Sequence, residues 1–201
     1  MLGLMPHQRR RLGVAERREE ILAAARHVFS TTPYSDASTQ HIAETCGASQ
    51  GLIFHYFGSK SGLYTAFLED SSRSLASALR AALQAHPRAS RNELLTQTLE
   101  IYLDYIAASP LIWAAGRRGG EEPTETINFR IAQRDVCIEE LRESLSIDDA
   151  AGTRAVSGFL GFLDAICLDW VDEGCPGDQR GLIIATASGA LTGALAGPNP
   201  A

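Results

Sequence analysis

Lysine is nearly missing from this 201-residue chain. Lys60 is the only one, and arginine supplies every other basic residue. Cysteine is scarce as well. Cys46, Cys137, Cys167 and Cys175 form no C-x-x-C pair and match no zinc spacing. That excludes a patterned metal site and predicts reduced thiols in a cytoplasmic protein. A redox pair of Cys167 and Cys175 is the alternative. No apolar run reaches the roughly 20 residues that span a bilayer. Met1–Leu4 lacks the charged start and long apolar region of a secretory signal. A cytoplasmic location without a membrane partner is therefore expected. H-E-x-x-H, the phosphate-binding P-loop and G-x-G-x-x-G do not occur. Neither an enzyme nor a cofactor or metal ion is expected.

The charge that is present is unevenly shared. The net charge is −6. Residues 1–90 hold ten Lys+Arg against seven Asp+Glu, and residues 91–201 hold eight against seventeen. All five histidines also lie in the first ninety residues. A mildly basic first part on an acidic body points to a polyanionic partner for the first part.

Apolar residues recur at helical spacing along most of the chain, and no strand-like alternation appears. Residues 1–14, with Arg9, Arg10 and Arg11 among breakers, read as a flexible basic arm. A helix follows from Ala15. "STTPYSDAS" (Ser30–Ser38) is a loop, and a short helix runs from Thr39 to Cys46 behind Ser38 or Thr39 as cap. "CGAS" (Cys46–Ser49) makes a tight turn in which Gly47 takes a positive φ and Ser49 caps a brief helix, Gln50–Tyr56. Ser59 then caps a long helix to Ala85, with Leu63, Phe67, Leu75, Leu79 and Leu83 on its core face. Two short helices joined by a four-residue turn form a helix-turn-helix.

Further on, Ser90 and Glu93 make a capping box, Pro110 opens a short segment, and "GRRGGEEP" (Gly116–Pro123) reads as a loop. Thr124–Leu145 carries a stripe of Ile127, Ile131, Ile138, Leu141 and Leu145. Asp148–Glu173 and Arg180–Leu195 are the last helices. The fold class is all-α.

The stretch "IAETCGASQGLIFHYFGSKSGLY" resembles the DNA-binding region of the TetR family of bacterial transcriptional regulators. Ile42, Ala43, Gly47, Ser49, Gly51, Ile53, Phe54, Tyr56, Phe57, Lys60 and Leu63 fall on its spaced positions. Three residues depart from it: Phe54 for tyrosine, Ala48 for valine and Pro33 for glycine. The resemblance implies a DNA-binding domain over residues 15–65 and an effector-binding and dimerisation domain over 66–201, linked by the long helix 59–85. It implies a ligand-responsive repressor, released by a small molecule from a palindromic operator on double-stranded DNA. Control by a protein partner, or no effector at all, is the alternative.

Within the short recognition helix, Ile53 and Phe57 are expected to pin it from behind, and Gly51 to permit close approach. DNA contacts are expected from Thr39, Ser49, Gln50, Gly51, Phe54, His55, Tyr56 and Lys60. Gln50 is placed to read adenine, and Thr39, Tyr56 and Lys60 to hold phosphate. The resemblance also implies a homodimer and an effector pocket. Tyr102, Tyr105, Trp113, Phe129 and Phe159 are the candidate pocket lining, with Glu100, Asp104 and Arg134 as polar groups. Ile166, Trp170, Ile183, Ala187 and Leu191 are the candidate dimer contacts.

Overall fold

The computed structural model describes residues 13–119 and 122–196. The described residues form nine α-helices and one short 3-10 turn, without a strand. The helices are α1 (Val14–Thr31), α2 (Thr39–Thr45), α3 (Gln50–Phe57), α4 (Lys60–Ala85), α5 (Arg91–Ala108), α6 (Pro110–Arg118), α7 (Thr124–Leu145), α8 (Ala150–Asp172) and α9 (Arg180–Ala196). None of them is long and apolar enough to cross a membrane.

Local chemistry sets the boundaries. Ser38, Ser49, Ser59 and Ser90 each accept a backbone N–H of the helix that follows, filling one of its orphan donors. Pro110 sits in the first turn of α6, where its missing N–H costs nothing. The basic arm lies outside the described residues except for its last two. Of these, Gly13 caps α1, its N–H donating to the Glu16 carboxylate at 2.9 Å, and Val14 is already helical. The expected loop at Gly116 begins later than its composition suggests. Gly116, Arg117 and Arg118 complete α6, which ends at Gly119 with φ 67°.

Two cores form. The first packs α1 to α4 around Ile21, Phe29, Ile42, Ile53, Leu63 and Phe67, and takes in Ile112 from α6. Phe29 meets Tyr64 edge-on at 4.9 Å between ring centroids, and Tyr34 meets Tyr64 at 4.8 Å. Such pairs add about 0.5–1.5 kcal/mol each beyond burial. The second core joins α5, α6, α8 and α9 around Leu103, Val156, Leu163, Trp170 and Ala187.

Two expected core stripes are only partly core. On α4, Leu63 and Phe67 are buried, whereas Leu75 and Leu79 are half-buried and Leu83 is exposed. On α7, Ile127 and Ile131 are exposed, and Thr126 is the fully buried residue. All five apolar side chains border the inner cavity described below, so the stripes face space rather than a neighbour.

Candidate nucleic-acid interface and inner cavity

The turn between α2 and α3 closes because Gly47 adopts φ 60°. The Ala48 N–H then reaches the Ala43 carbonyl at 2.8 Å. Ser49 caps α3 by accepting the Leu52 N–H at 3.2 Å. Residues 47–51 also spell G-x-S-x-G, the string of serine-hydrolase nucleophiles. That motif needs a strand before the serine; here a helix precedes it and Ser49 is a cap.

Ile53 is fully buried and fixes α3 to the first core. Phe57 is half-buried, with the Arg18 guanidinium 5.1 Å from its ring centroid. Gly51 is exposed, and a Cβ there would meet only the Ser49 hydroxyl at 4.0 Å, so helix packing does not require this glycine. The close approach is at Gly62 instead. A Cβ there would lie 2.1 Å from the Phe57 carbonyl oxygen. Nothing in the local sequence distinguishes Gly62, because the neighbour it must clear is the end of α3.

The outward edge of α3 is Gly51, Phe54 and His55, all exposed. Tyr56 is half-buried against the first core and touches the rings of His55 and Phe57. Thr39 corrects its expected role as an open phosphate donor. It is 7% exposed, and its Oγ1 accepts from Gln50 Nε2 at 2.6 Å. That bond ties the start of α3 to the start of α2, and it turns the Gln50 amide nitrogen inward. Lys60 is also held. Its ammonium donates to the Ser35 carbonyl at 3.1 Å and lies 4.5 Å from the Tyr34 ring centroid. Partial burial lowers its pKa from the ordinary lysine value, against the raising effect of Asp36.

Between α4 and the remaining helices lies a cavity of about 1580 Å³. Tyr102, Tyr105, Trp113, Phe129 and Phe159 all line it. So does Arg134, whereas Glu100 and Asp104 do not: both are exposed, and Arg180 binds the Asp104 carboxylate at 2.7 Å and the Glu100 carbonyl at 3.0 Å. They face out because they lie on the α9-side surface of α5. Arg117, Asp164, Arg130 and Glu122 also reach the cavity. Arg117 binds Asp164 at 2.7 Å and stacks 3.8 Å from the Trp113 centroid. Arg134 binds the other Asp164 oxygen at 2.5 Å. Arg130 grips Glu122 with two donors at 2.7 and 2.8 Å.

The candidate dimer residues also need correction. Trp170, Ile183, Ala187 and Leu191 are buried inside the protomer, and Ile166 is half-buried. They form the seam between α8, α9 and the rest of the body. The outward faces carry Gly158 and Phe162 on α8, and Leu182, Gly189 and Gly193 on α9. Periodicity does not separate the two faces, because α9 is apolar all round.

All four cysteines are free thiols. Burial, with Asp164 nearby, pushes the Cys167 thiol up to about 12. No cluster of metal-ligand type occurs among the described residues.

Residues 21–67 match the model of bacterial regulatory proteins, tetR family. The chain is similar to the HTH-type transcriptional repressor AcnR of Corynebacterium jeikeium (strain K411), 41% identical over 63 residues, 31% of this chain and 33% of that one. It therefore spans only about a third of that relative. Over 85% of its length it is 25% identical to the HTH-type transcriptional regulator BetI of Paraburkholderia phytofirmans (strain DSM 17436 / LMG 22146 / PsJN), covering 90% of that protein. The fold matches a crystal structure of a tetR-family transcriptional regulator from Streptomyces coelicolor with a TM-score of 0.76 at 22% identity, over 92% of this chain and 84% of that one. The helix-turn-helix over α2 and α3 lies within the matched residues 21–67, and the fold of the described residues is like that of a solved tetR-family regulator.

Proposed function

We propose that this protein is a DNA-binding transcriptional regulator, a repressor that leaves a palindromic operator when a small molecule fills its cavity. Residues 15–65 act as the DNA-binding head and residues 66–201 as the body. The exposed edge of α3 offers Phe54 and His55 to the major groove, with Gly51 allowing the backbone close. Phe54 has no hydroxyl to give a phosphate, but its ring suits a thymine methyl. Lys60 adds a sequence-independent phosphate contact. Two copies joined through the small-residue faces of α8 and α9 present two such edges to successive half-sites.

One observation supports ligand control above the others. Glu122 and Arg130 line the cavity, and Glu122 also accepts from the Tyr64 hydroxyl at 2.8 Å. Tyr64 sits in the core of the head against Phe29 and Tyr34. A ligand that displaces this part of the wall therefore acts on the head through Glu122. The cavity favours a small molecule over a protein partner as the controlling input.

The test is to sequence the genomic fragments that the purified protein retains. An inverted repeat shared among them, occupied by dimers, is the expected result. Failure to hold any duplex at low ionic strength would overturn the reading.

A further inference from the structure

The polar end of the cavity has donors to spare and few acceptors. The Tyr102 hydroxyl oxygen accepts from Trp113 Nε1 at 3.1 Å and from Arg117 Nη2 at 3.0 Å. A phenol oxygen has two lone pairs and one proton. Both lone pairs are filled, and no acceptor for the proton occurs among the described residues. Burial raises the pKa of this phenol, so the proton stays on it. Arg134 spends one donor on Asp164, and its remaining N–H groups find no acceptor among the described residues. Two guanidiniums share the single Asp164 carboxylate, which leaves the cluster one positive charge in excess. Asp135 and Glu140, also at the wall, are exposed and form no ion pair with either arginine.

The same cluster takes up one aromatic surface. The face of Trp113, where an aromatic ring would take a ligand's ammonium, is already covered by the Arg117 guanidinium.

Away from this cluster leucines run along the wall, with the exposed Arg80, Arg91 and Asn92 among them. Leu75, Leu79, Leu95, Leu141, Leu145 and Leu195 line it. They come from the second half of α4, the start of α5 and the ends of α7 and α9. None of them offers a hydrogen bond.

We infer that the cavity takes a single-headed amphiphile: a straight aliphatic chain ending in a carboxylate, with the head at Tyr102 and Arg134 and the tail among the leucines. Arg117 and Asp164 position those two groups and do not need to touch the ligand. The inference rests on the reading of the cavity as the effector site, and it adds the chemical class of the effector.

The test uses the full-length protein and four probes below their micelle concentrations: dodecanoate, dodecanol, dodecylamine and dodecanoyl-coenzyme A. Binding is followed by calorimetry, and release of DNA is scored separately. Dodecanoate should bind about tenfold tighter than dodecanol, the amount a charged hydrogen bond supplies, and dodecylamine more weakly than either. Arg134→Gln and Tyr102→Phe should each weaken dodecanoate about fivefold or more while leaving dodecanol unchanged. Equal affinity for acid and alcohol, preference for the amine, binding of the thioester alone, or equal losses for both probes in both variants would overturn the assignment. Tight, head-dependent binding of dodecanoate without DNA release would support it while counting against the regulatory reading.

Discussion

Tyr64 and Glu122 lie fifty-eight positions apart in sequence and are joined by a 2.8 Å hydrogen bond, one partner in the core of the head and the other at the cavity wall. Glu122 is 5% exposed, so its charge depends on Tyr64 and Arg130 for solvation. Tyr64→Phe removes one donor and little volume. It should cost about 1–3 kcal/mol of stability, the penalty of an under-satisfied buried acceptor. It should also narrow the difference in DNA affinity between ligand-free and ligand-bound protein. Denaturant melts and DNA titrations with and without ligand check both; an unchanged difference would remove Tyr64 from the coupling.

Gly62→Ala should disturb the head more than its small size suggests. The added methyl meets the Phe57 carbonyl, a backbone atom that has no rotamer to give way. Overpacking of this kind costs about 1–3 kcal/mol. Because Phe57 ends α3, DNA affinity should fall together with stability. Gly51→Ala, by contrast, should leave thermal stability within about 0.5 kcal/mol and affect DNA binding alone.

Gln50 and Thr39 should behave as one unit. Thr39→Val and Gln50→Ala each break the same 2.6 Å bond. A double-mutant cycle on stability should show coupling of about 0.5–1.5 kcal/mol. Additive losses would mean that the bond contributes nothing. If Gln50 also turns outward to read a base, Gln50→Ala should alter operator preference by about 1–3 kcal/mol at one position, whereas Lys60→Ala should weaken all sequences alike.

Leu182 is 70% exposed on the outer face of α9. Leu182→Glu should leave the protomer folded and shift sedimentation from dimer to monomer, with loss of operator binding. Trp170→Ala should instead unfold the body, by about 3–5 kcal/mol. The two outcomes separate the outer face from the inner seam.

Cys167 should resist alkylation at neutral pH in the folded protein, since its thiol is buried and held protonated to about 12. Mass spectrometry after iodoacetamide treatment should find it unmodified, and fast labelling would show that the body opens. A redox pair with Cys175 is disfavoured for the same reason.

Helix boundaries were legible because they are written in single residues. Ser49, Ser59, the Ser90–Glu93 pair and Pro110 mark ends that follow from backbone valence alone. The recognition turn was legible for the same reason, through Gly47. The destination of an apolar face was not. Leu79 on α4 and Ile131 on α7 recur at the same spacing as core residues but face a cavity. Spacing reports that a face is apolar and not what lies opposite it. Arg117 was hidden by its setting. Its neighbours Gly116, Gly119 and Gly120 suggest a loop, yet the helix persists through Arg118 and aims the guanidinium at Trp113. Thr39 and Gln50 were each legible as polar and near the turn, but their bond depends on how α2 crosses α3.

α4 runs unbroken for 26 residues, from Lys60 beside the Tyr34 ring to the leucines that bound the cavity. At 1.5 Å per residue it is a rod about 39 Å long. A tilt of about five degrees at its far end sweeps the near end through about 3 Å, close to one base-pair step along the duplex. Two such rods, leaning in opposite senses in a symmetric pair, would alter the reach between half-sites by twice that amount. A dimer regulated in this way would need no dedicated joint, only a filling large enough to push the rod aside.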